Sequence, residues 1–266
     1  MTISGFADVD NNDPHRLTRS LHVRASAVLY EAYRRRLRSL IDSADGLVVD
    51  VGAGVGTLVG QLCPTRAVIG VEPSRALATS ALALGRPVVL GPGSALPFPD
   101  ATVGVVVIER VLQHVAGLEA VLAECARVVV PGGLILVVDP DHGRAEVAPA
   151  GLADLGRQLC AWRAAVGTLS PGAAARTAAW ATGAGLVVDV ETFWCSTEVF
   201  ADARQLTNFP EWARLAAEAG ADVGAAQVLA WERAWLAAAE GALPFTFSWP
   251  ITLTAARVPG LHQHAA

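Results

Sequence analysis

Short apolar runs alternate with stretches of helical spacing over the first half of the chain, and the first run ends in a glycine turn. Val48-Val49-Asp50-Val51 leads into Gly52-Ala53-Gly54-Val55-Gly56-Thr57 and then into the amphipathic segment Leu58-Val59-Gly60-Gln61-Leu62. Three valines around one acid read as a buried parallel strand turning sharply into a helix. Apolar runs at Ala67 to Val71, Pro87 to Leu90, Val103 to Ile108 and Leu134 to Val138 predict four more strands. Helical spacing over Ser74 to Leu84 and Leu118 to Val128 fills two of the gaps. This is the pattern of a parallel sheet covered on both faces.

Upstream, Ala25, Val28, Leu29, Ala32, Leu37 and Leu40 come close to helical spacing over Arg24 to Ile41, with Tyr33 on the same side. Arg34 and Arg38 fall on the opposite face, either a solvated surface or a ligand contact, whereas Arg36 points to the apolar side and needs a partner. Residues 1–23, with Asp8, Asn11, Asn12, Asp13 and Pro14, read as a mobile arm. Downstream, Ala145 to Ala184 is alanine-rich and predicted helical, broken at Gly167 and Pro171-Gly172. Leu186 to Val190 predicts a sixth strand. An insertion over residues 193–241, carrying two helical stretches, precedes the alternating run Phe245 to Leu253, a half-buried and antiparallel final strand. Pro250 has no amide hydrogen, so a bulge is expected there, or pairing that is complete only beyond it.

The chain of 266 residues suffices for one large α/β domain, 1–266, and its 53% hydrophobic and 17% charged residues are those of a globular protein. All 20 cationic residues are arginine, which codon bias in a GC-rich genome explains. A formal charge of -5 and a pI of about 5.7 argue against nucleic acid as partner. The longest uncharged run, Gly241 to Ala256, is short for a membrane span and contains two prolines. The mixed, polar stretch from Met1 to Arg24 points to a cytoplasmic protein. Cys63, Cys125, Cys160 and Cys195 have no paired spacing, so neither a metal site nor a disulfide frame is expected.

A glycine-rich strand-to-helix turn lets a ligand lie against the main chain, facing the unpaired amides of the helix start. A dinucleotide fingerprint wants glycine or alanine where Thr57 stands, which disfavours an NAD enzyme. Glu72 closes the second strand about twenty residues after the turn, where a carboxylate can accept both hydroxyls of a ribose or merely cap the next helix. Further on come Gly93-Ser94-Ala95-Leu96-Pro97-Phe98-Pro99-Asp100 and Val105-Val106-Val107-Ile108-Glu109-Arg110-Val111-Leu112-Gln113-His114-Val115. Glu124-Cys125-Ala126-Arg127-Val128-Val129-Val130-Pro131-Gly132-Gly133 then leads into Leu134 to Asp141.

In order and spacing these motifs, over roughly Val48 to Asp141, resemble the class I S-adenosylmethionine (SAM) dependent methyltransferases of the type 11, ubiquinone and menaquinone biosynthesis kind. The resemblance implies an α/β, Rossmann-like class I methyltransferase fold: a mostly parallel seven-stranded sheet with a reversed last strand and helices on both faces. It implies SAM as cofactor, with Asp50, Gly52 and Gly54 at its methionine part, Glu72 at the ribose and Ser94, Ala95 and Leu96 at the adenine. Glu109 and Arg110 would line its reacting end, and Pro131-Gly132-Gly133 would be a structural turn. The chain departs from the family in two places: aspartate is usual where Ser94 stands, and Phe-Asp where Val103-Gly104 stands.

The sulfonium methyl is already activated, so alignment of an acceptor and exclusion of water are the main requirements. Where the acceptor must lose a proton, His114 and His142 follow the fourth and fifth strands and are candidate bases; each could instead order its loop. Asp139 and Asp141 are further candidates. Ten of the sixteen aromatic residues fall from Phe193 onward and either wall an apolar pocket, as a lid, or pack the insertion's helices. The expected function is methyl transfer to a small, fairly apolar molecule such as a secondary metabolite or quinone precursor. The alternatives are a non-methylating reaction on the same fold, such as a cyclisation, or a SAM-binding subunit without catalysis.

Overall fold

The structure, a computed structural model, describes Asp10, Leu21 and residues 27–166 and 168–260, with only the backbone of Gln205. The arm expected over residues 1–23 otherwise lies outside these residues, as does Gly167. The sheet has eight strands, β1 (Val48–Val51), β2 (Val68–Glu72), β3 (Val88–Leu90), β4 (Val103–Glu109), β5 (Val129–Pro140), β6 (Glu146–Pro149), β7 (Val187–Ser196) and β8 (Phe245–Arg257). From β3 through β2, β1 and β4 to β5 every pairing is parallel. Strand β8 then runs antiparallel to β5, β6 and β7.

The expected architecture is therefore present with one addition. Strand β5 pairs with Ile251 to Arg257 of β8, while β6 pairs with Phe245 to Ser248. Because β7 also reaches Ser248, it occupies the other edge, and β6 continues the line of β5. Pro250 sits at the break between these two pairings, and its carbonyl accepts the amide of Asp141. Its missing donor thus falls where the β5 and β6 ladders are interrupted, as its chemistry requires.

Two local expectations need correction. Pro131-Gly132-Gly133 does not precede the fifth strand but bulges within it: the five-residue step of β5 from Val129 to Leu134 passes against the two-residue step from Val103 to Val105. The stretch Ala145 to Ala184 is not helical throughout, since β6 precedes the helices α5 (Ala153–Val166) and α6 (Ala173–Gly183). We keep these labels, with α1 (Glu31–Asp42), α2 (Thr57–Leu62), α3 (Arg75–Ala83) and α4 (Leu118–Val128) before them.

The sheet separates two cores. Tyr33, Leu37 and Ile41 of α1, with Val59 and Leu62 of α2, pack on Val48, Val105, Leu136 and Leu253. On the other face Val121, Leu122 and Cys125 of α4 and Ala181 of α6 pack on Val49, Val106, Ile135 and Ala256. These alternating contacts make each central strand apolar on both sides, which is why its sequence reads as a run. Arg36 finds the partner its position requires: its Nε donates to Glu191 Oε1 at 2.5 Å, and Asp189 lies 3.8 Å away.

The insertion starts later than expected, because Phe193 to Ser196 belong to β7, and it carries three helices rather than two: α7 (Phe200–Leu206), α8 (Trp212–Glu218) and α9 (Ala225–Ala239). They enclose an aromatic core in which Phe209 and Trp235 lie 4.1 Å apart between ring centroids and Trp231 donates to the carbonyl of Phe209.

Candidate functional site

The glycine turn stands at the carboxyl end of β1, where open α/β sheets place ligands. The amides of Gly52 and Ala53 donate to the Val71 carbonyl, which ties the turn to β2. Gly52, Gly54 and Gly56 have φ of 75°, 58° and 69°, the left-handed region that favours glycine. At Gly52 a Cβ would also meet Val111 Cγ2 at 2.5 Å, so the turn is closed to side chains from inside as well.

Glu72 faces this turn from the end of β2. Its Oε2 accepts the Gly54 amide at 2.8 Å and its Oε1 the Ser74 amide at 2.9 Å, which fixes the carboxylate and leaves acceptor capacity on both oxygens. Burial raises its pKa, opposed by those two amides. Helix α3 is capped by Ser74, whose Oγ accepts the Leu77 amide and donates to Asp10 at 2.6 Å. Glu72 is thus not the cap, and the functional alternative for that residue stays open.

Asp50 is 4% exposed, and burial, then the charges of Glu109 and Glu72, push its pKa up to about 8. Glu109 ends β4 and is held from α1: the buried Tyr33 hydroxyl donates to its Oε1 at 2.6 Å, and Arg34 Nε lies 3.6 Å from the same oxygen. Arg110, next along, has φ of 63°, uncommon for a residue with a side chain. Its amide donates to the Val138 carbonyl, and its guanidinium lies over the Tyr30 ring, 4.9 Å from the centroid.

These groups border a cavity of about 1070 Å³, just above the range of about 300–1,000 Å³ usual for small-molecule sites. Its lining includes Asp50, Gly52, Gly54, Glu72, Ser94, Glu109, Arg110 and His114. Ala95, Leu96 and His142 are not among the lining residues. The Leu96 amide donates to Glu124 Oε1 at 2.8 Å and its carbonyl accepts Arg127 Nη2, so two residues of the Glu124 to Arg127 motif anchor that loop instead. His142 Nε2 is 2.8 Å from Gln113 Oε1, and its ring meets Trp249 edge-on. Nor does any of the ten late aromatics line the cavity; nine pack into the core on this face of the sheet, the plainer of the two readings, while Trp194 is half-exposed beneath the Arg144 guanidinium.

Sequence reasoning missed Tyr33 as a partner of Glu109, and it missed the buried Gln113. The Gln113 carbonyl accepts the amides of Leu169 and Ser170, so the loop before α6 is clamped onto the 3-10 turn Leu112–His114. Asp139, beneath that turn, is fully buried, and burial raises its pKa to about 7 against the opposing Gln113 amide and Arg110. A serine or tyrosine pattern gives no signal for contacts between residues 76 apart. Tyr33→Phe should cost about 1.5–3 kcal/mol, the usual value for a hydrogen bond to a charged group. Urea unfolding of the variant checks this, and an unchanged midpoint would remove the bond from the account.

A parallel sheet with a reversed strand beside β5, a glycine turn after β1 and an acid closing β2 define the class I methyltransferase type of Rossmann-like fold. Residues 49–137, about a third of the chain, match the type 11 family model described as a methyltransferase domain. A demethylmenaquinone methyltransferase from Corynebacterium kroppenstedtii is 34% identical over 109 residues, 40% of this chain and 48% of that protein. An uncharacterised protein of a Streptomyces fradiae transposon is 32% identical over 120 residues, 41% of this chain and 35% of its own length. The chain therefore spans less than half the length of the curated relatives it matches. Among solved structures, the YcgJ protein of Bacillus subtilis shares the fold with a TM-score of 0.51 at 17% identity, over 81% of this chain and 93% of that one. A Haemonchus contortus phosphoethanolamine N-methyltransferase solved with SAM gives a TM-score of 0.52 at 13% identity, over 90% of this chain and 57% of that one. No described helix is long and apolar enough to cross a membrane.

Proposed function

We propose that the protein is a SAM-dependent methyltransferase acting on a small organic acceptor with an apolar body. The observation that carries this reading is the pairing of the glycine turn with Glu72, whose fixed carboxylate faces the same cavity as Asp50 and Glu109. Three acids suit a ligand with an ammonium, a sulfonium and two ribose hydroxyls. Asp50 would take the amine, Glu72 the ribose, and Gly52 and Gly54 would let the methionine part lie on the main chain. Ser94, on the cavity, would serve the adenine with a hydroxyl, a weaker acceptor than the family's usual carboxylate. The cofactor supplies the activated methyl group; the chain aligns the acceptor and excludes water.

Val28, Leu58, Val111, Val115 and Leu169 give the cavity an apolar share suited to an acceptor's carbon skeleton. The relative named for demethylmenaquinone supports a quinone-like skeleton. His114 borders the cavity and is the base we assign where the acceptor must lose a proton. His142, joined to Gln113, would act only by ordering the turn that carries His114. Calorimetric titration with SAM, S-adenosylhomocysteine and NAD tests the assignment. Saturable binding is expected for the first two and not for NAD, with affinity at least about tenfold weaker in Glu72→Ala, the loss of two charge-assisted hydrogen bonds. Absence of binding by either adenosyl ligand would overturn it.

A further inference from the structure

The cavity has a cationic side. Glu31, Arg34, Arg35 and Arg38 of α1 line it together with Thr57, Leu58 and Gln61 of α2. Arg38 Nη2 approaches Gln61 Oε1 at 3.4 Å, so the two helices form the walls of a trough leading from the glycine turn. The charges divide along the cavity. Asp50, Glu72 and Glu109 gather at the carboxyl ends of β1, β2 and β4, and Glu109 is matched there by Arg34. Among the described residues, Arg35 and Arg38 face one lining carboxylate in the trough, Glu31, and the neutral amide of Gln61. A surplus of guanidinium in a ligand cavity is matched best by a planar or tetrahedral oxyanion, which its fork of N–H donors can hold in a bidentate way.

We propose that the methyl acceptor is an organic anion, an apolar body bearing a carboxylate or phosphate, whose anionic oxygens are held by Arg35 and Arg38 in the trough between α1 and α2. This rests on the methyltransferase reading of the site and narrows its substrate class. Neighbouring apolar groups, Val28 of the lining and Leu58 of α2, receive the carbon skeleton, and the arginines orient it by its charged end. The aromatic wall that composition suggested has no part in this, because none of those rings lines the cavity.

The test uses the full chain saturated with S-adenosylhomocysteine. It is titrated with 4-hydroxybenzoate, with phenyl phosphate and with 4-hydroxybenzamide, a neutral shape match for the first. At least one anion should bind about tenfold more tightly than the amide or better, as a charge-assisted bidentate contact requires. The ratio of the two anions tells carboxylate from phosphate. In the double variant Arg35→Gln, Arg38→Gln the preference for anions should disappear while the thermal midpoint stays unchanged. Equal binding of anion and amide, or binding of neither anion, would overturn the proposal. So would a double variant that loses S-adenosylhomocysteine yet keeps 5′-methylthioadenosine, which lacks the amino-acid arm, because the arginines would then serve the cofactor's own carboxylate. Failure of the wild type to bind S-adenosylhomocysteine at all would instead sink the methyltransferase reading beneath it.

Discussion

Gly104→Ala should destabilise the folded protein severely. A Cβ on Gly104 would stand 1.8 Å from the Asp45 carbonyl oxygen, 2.9 Å from its carbon and 3.1 Å from Gly46 Cα, all of them backbone atoms that cannot turn aside. The approach is close because both Gly104 and Val105 donate their amides to the Leu47 carbonyl, at 3.0 and 3.1 Å, drawing the loop before β1 onto β4. Gly133 closes the other side, with its own missing Cβ 2.6 Å from the Gly104 carbonyl oxygen. Relief requires moving the β1 entry or unpairing β4, so a cost of about 3–5 kcal/mol is expected, above the about 1–3 kcal/mol usual for overpacking of a core. That is a large share of the about 5–15 kcal/mol by which domains are stable. Gly185→Ala is the control: its φ of 76° is strained for alanine, but nothing lies within 4 Å, and about 1–2 kcal/mol should be lost. Denaturant unfolding of both variants decides the matter. If Gly104→Ala loses no more than the control, the loop from Asp45 to Leu47 yields easily and the steric account fails.

This changes what the departure from the family at Val103-Gly104 means. Read along the chain, glycine in place of aspartate looks like a lost functional group. In three dimensions it is where the backbone of a neighbouring loop rests, remote from the glycine turn at the other end of β1. Sequence was informative where one physical rule dominated over a few consecutive residues. Strands β1, β2, β4 and β5 are buried on both faces and show as apolar runs, and Gly52 and Gly54 lie in a turn whose geometry their own φ values impose. It was silent where distant segments decide. Strand β6, Glu146–Pro149, carries alanine and proline and exists because Phe245 to Ser248 offers it an edge. Leu96 follows Ser94 by two residues, yet Glu124 and Arg127 turn its backbone to structural use. Tyr33 satisfied the helical pattern as an apolar residue; only its hydroxyl, reaching Glu109, gives it a second role. The ten clustered aromatics had two explanations of equal chemical merit, and none of them lines the cavity.

Cofactor binding should tighten as the pH rises from about 6 to 8, and Asp50 should be the reason. In the ligand-free protein burial raises the Asp50 pKa from 3.8 to about 8, with Glu109 and Glu72 adding repulsion. The folded chain then holds a proton that the unfolded chain has released, so this group's contribution to stability is greatest below the unfolded value. It is lost progressively as the pH climbs towards 8, by at most about 1.4 kcal/mol per pH unit for one proton. Asp139, raised to about 7 by burial, acts in the same direction, so Asp50→Asn should flatten the slope of stability against pH only in part. A cation placed beside Asp50 reverses the preference, because an ammonium favours the carboxylate and expels the proton. Below about pH 8 binding of SAM should therefore release a proton, and affinity should rise with pH by up to about tenfold per unit before levelling off. Titration calorimetry at pH 7 in phosphate and in Tris reads the released proton directly, since the two buffers take it up with different heats. Asp50→Asn should abolish most of that difference and weaken binding chiefly at high pH, where the wild-type carboxylate is charged. An affinity that is flat from pH 6.5 to 8.5, with equal heats in both buffers, would remove Asp50 from the ammonium and leave its burial as a feature of the strand alone.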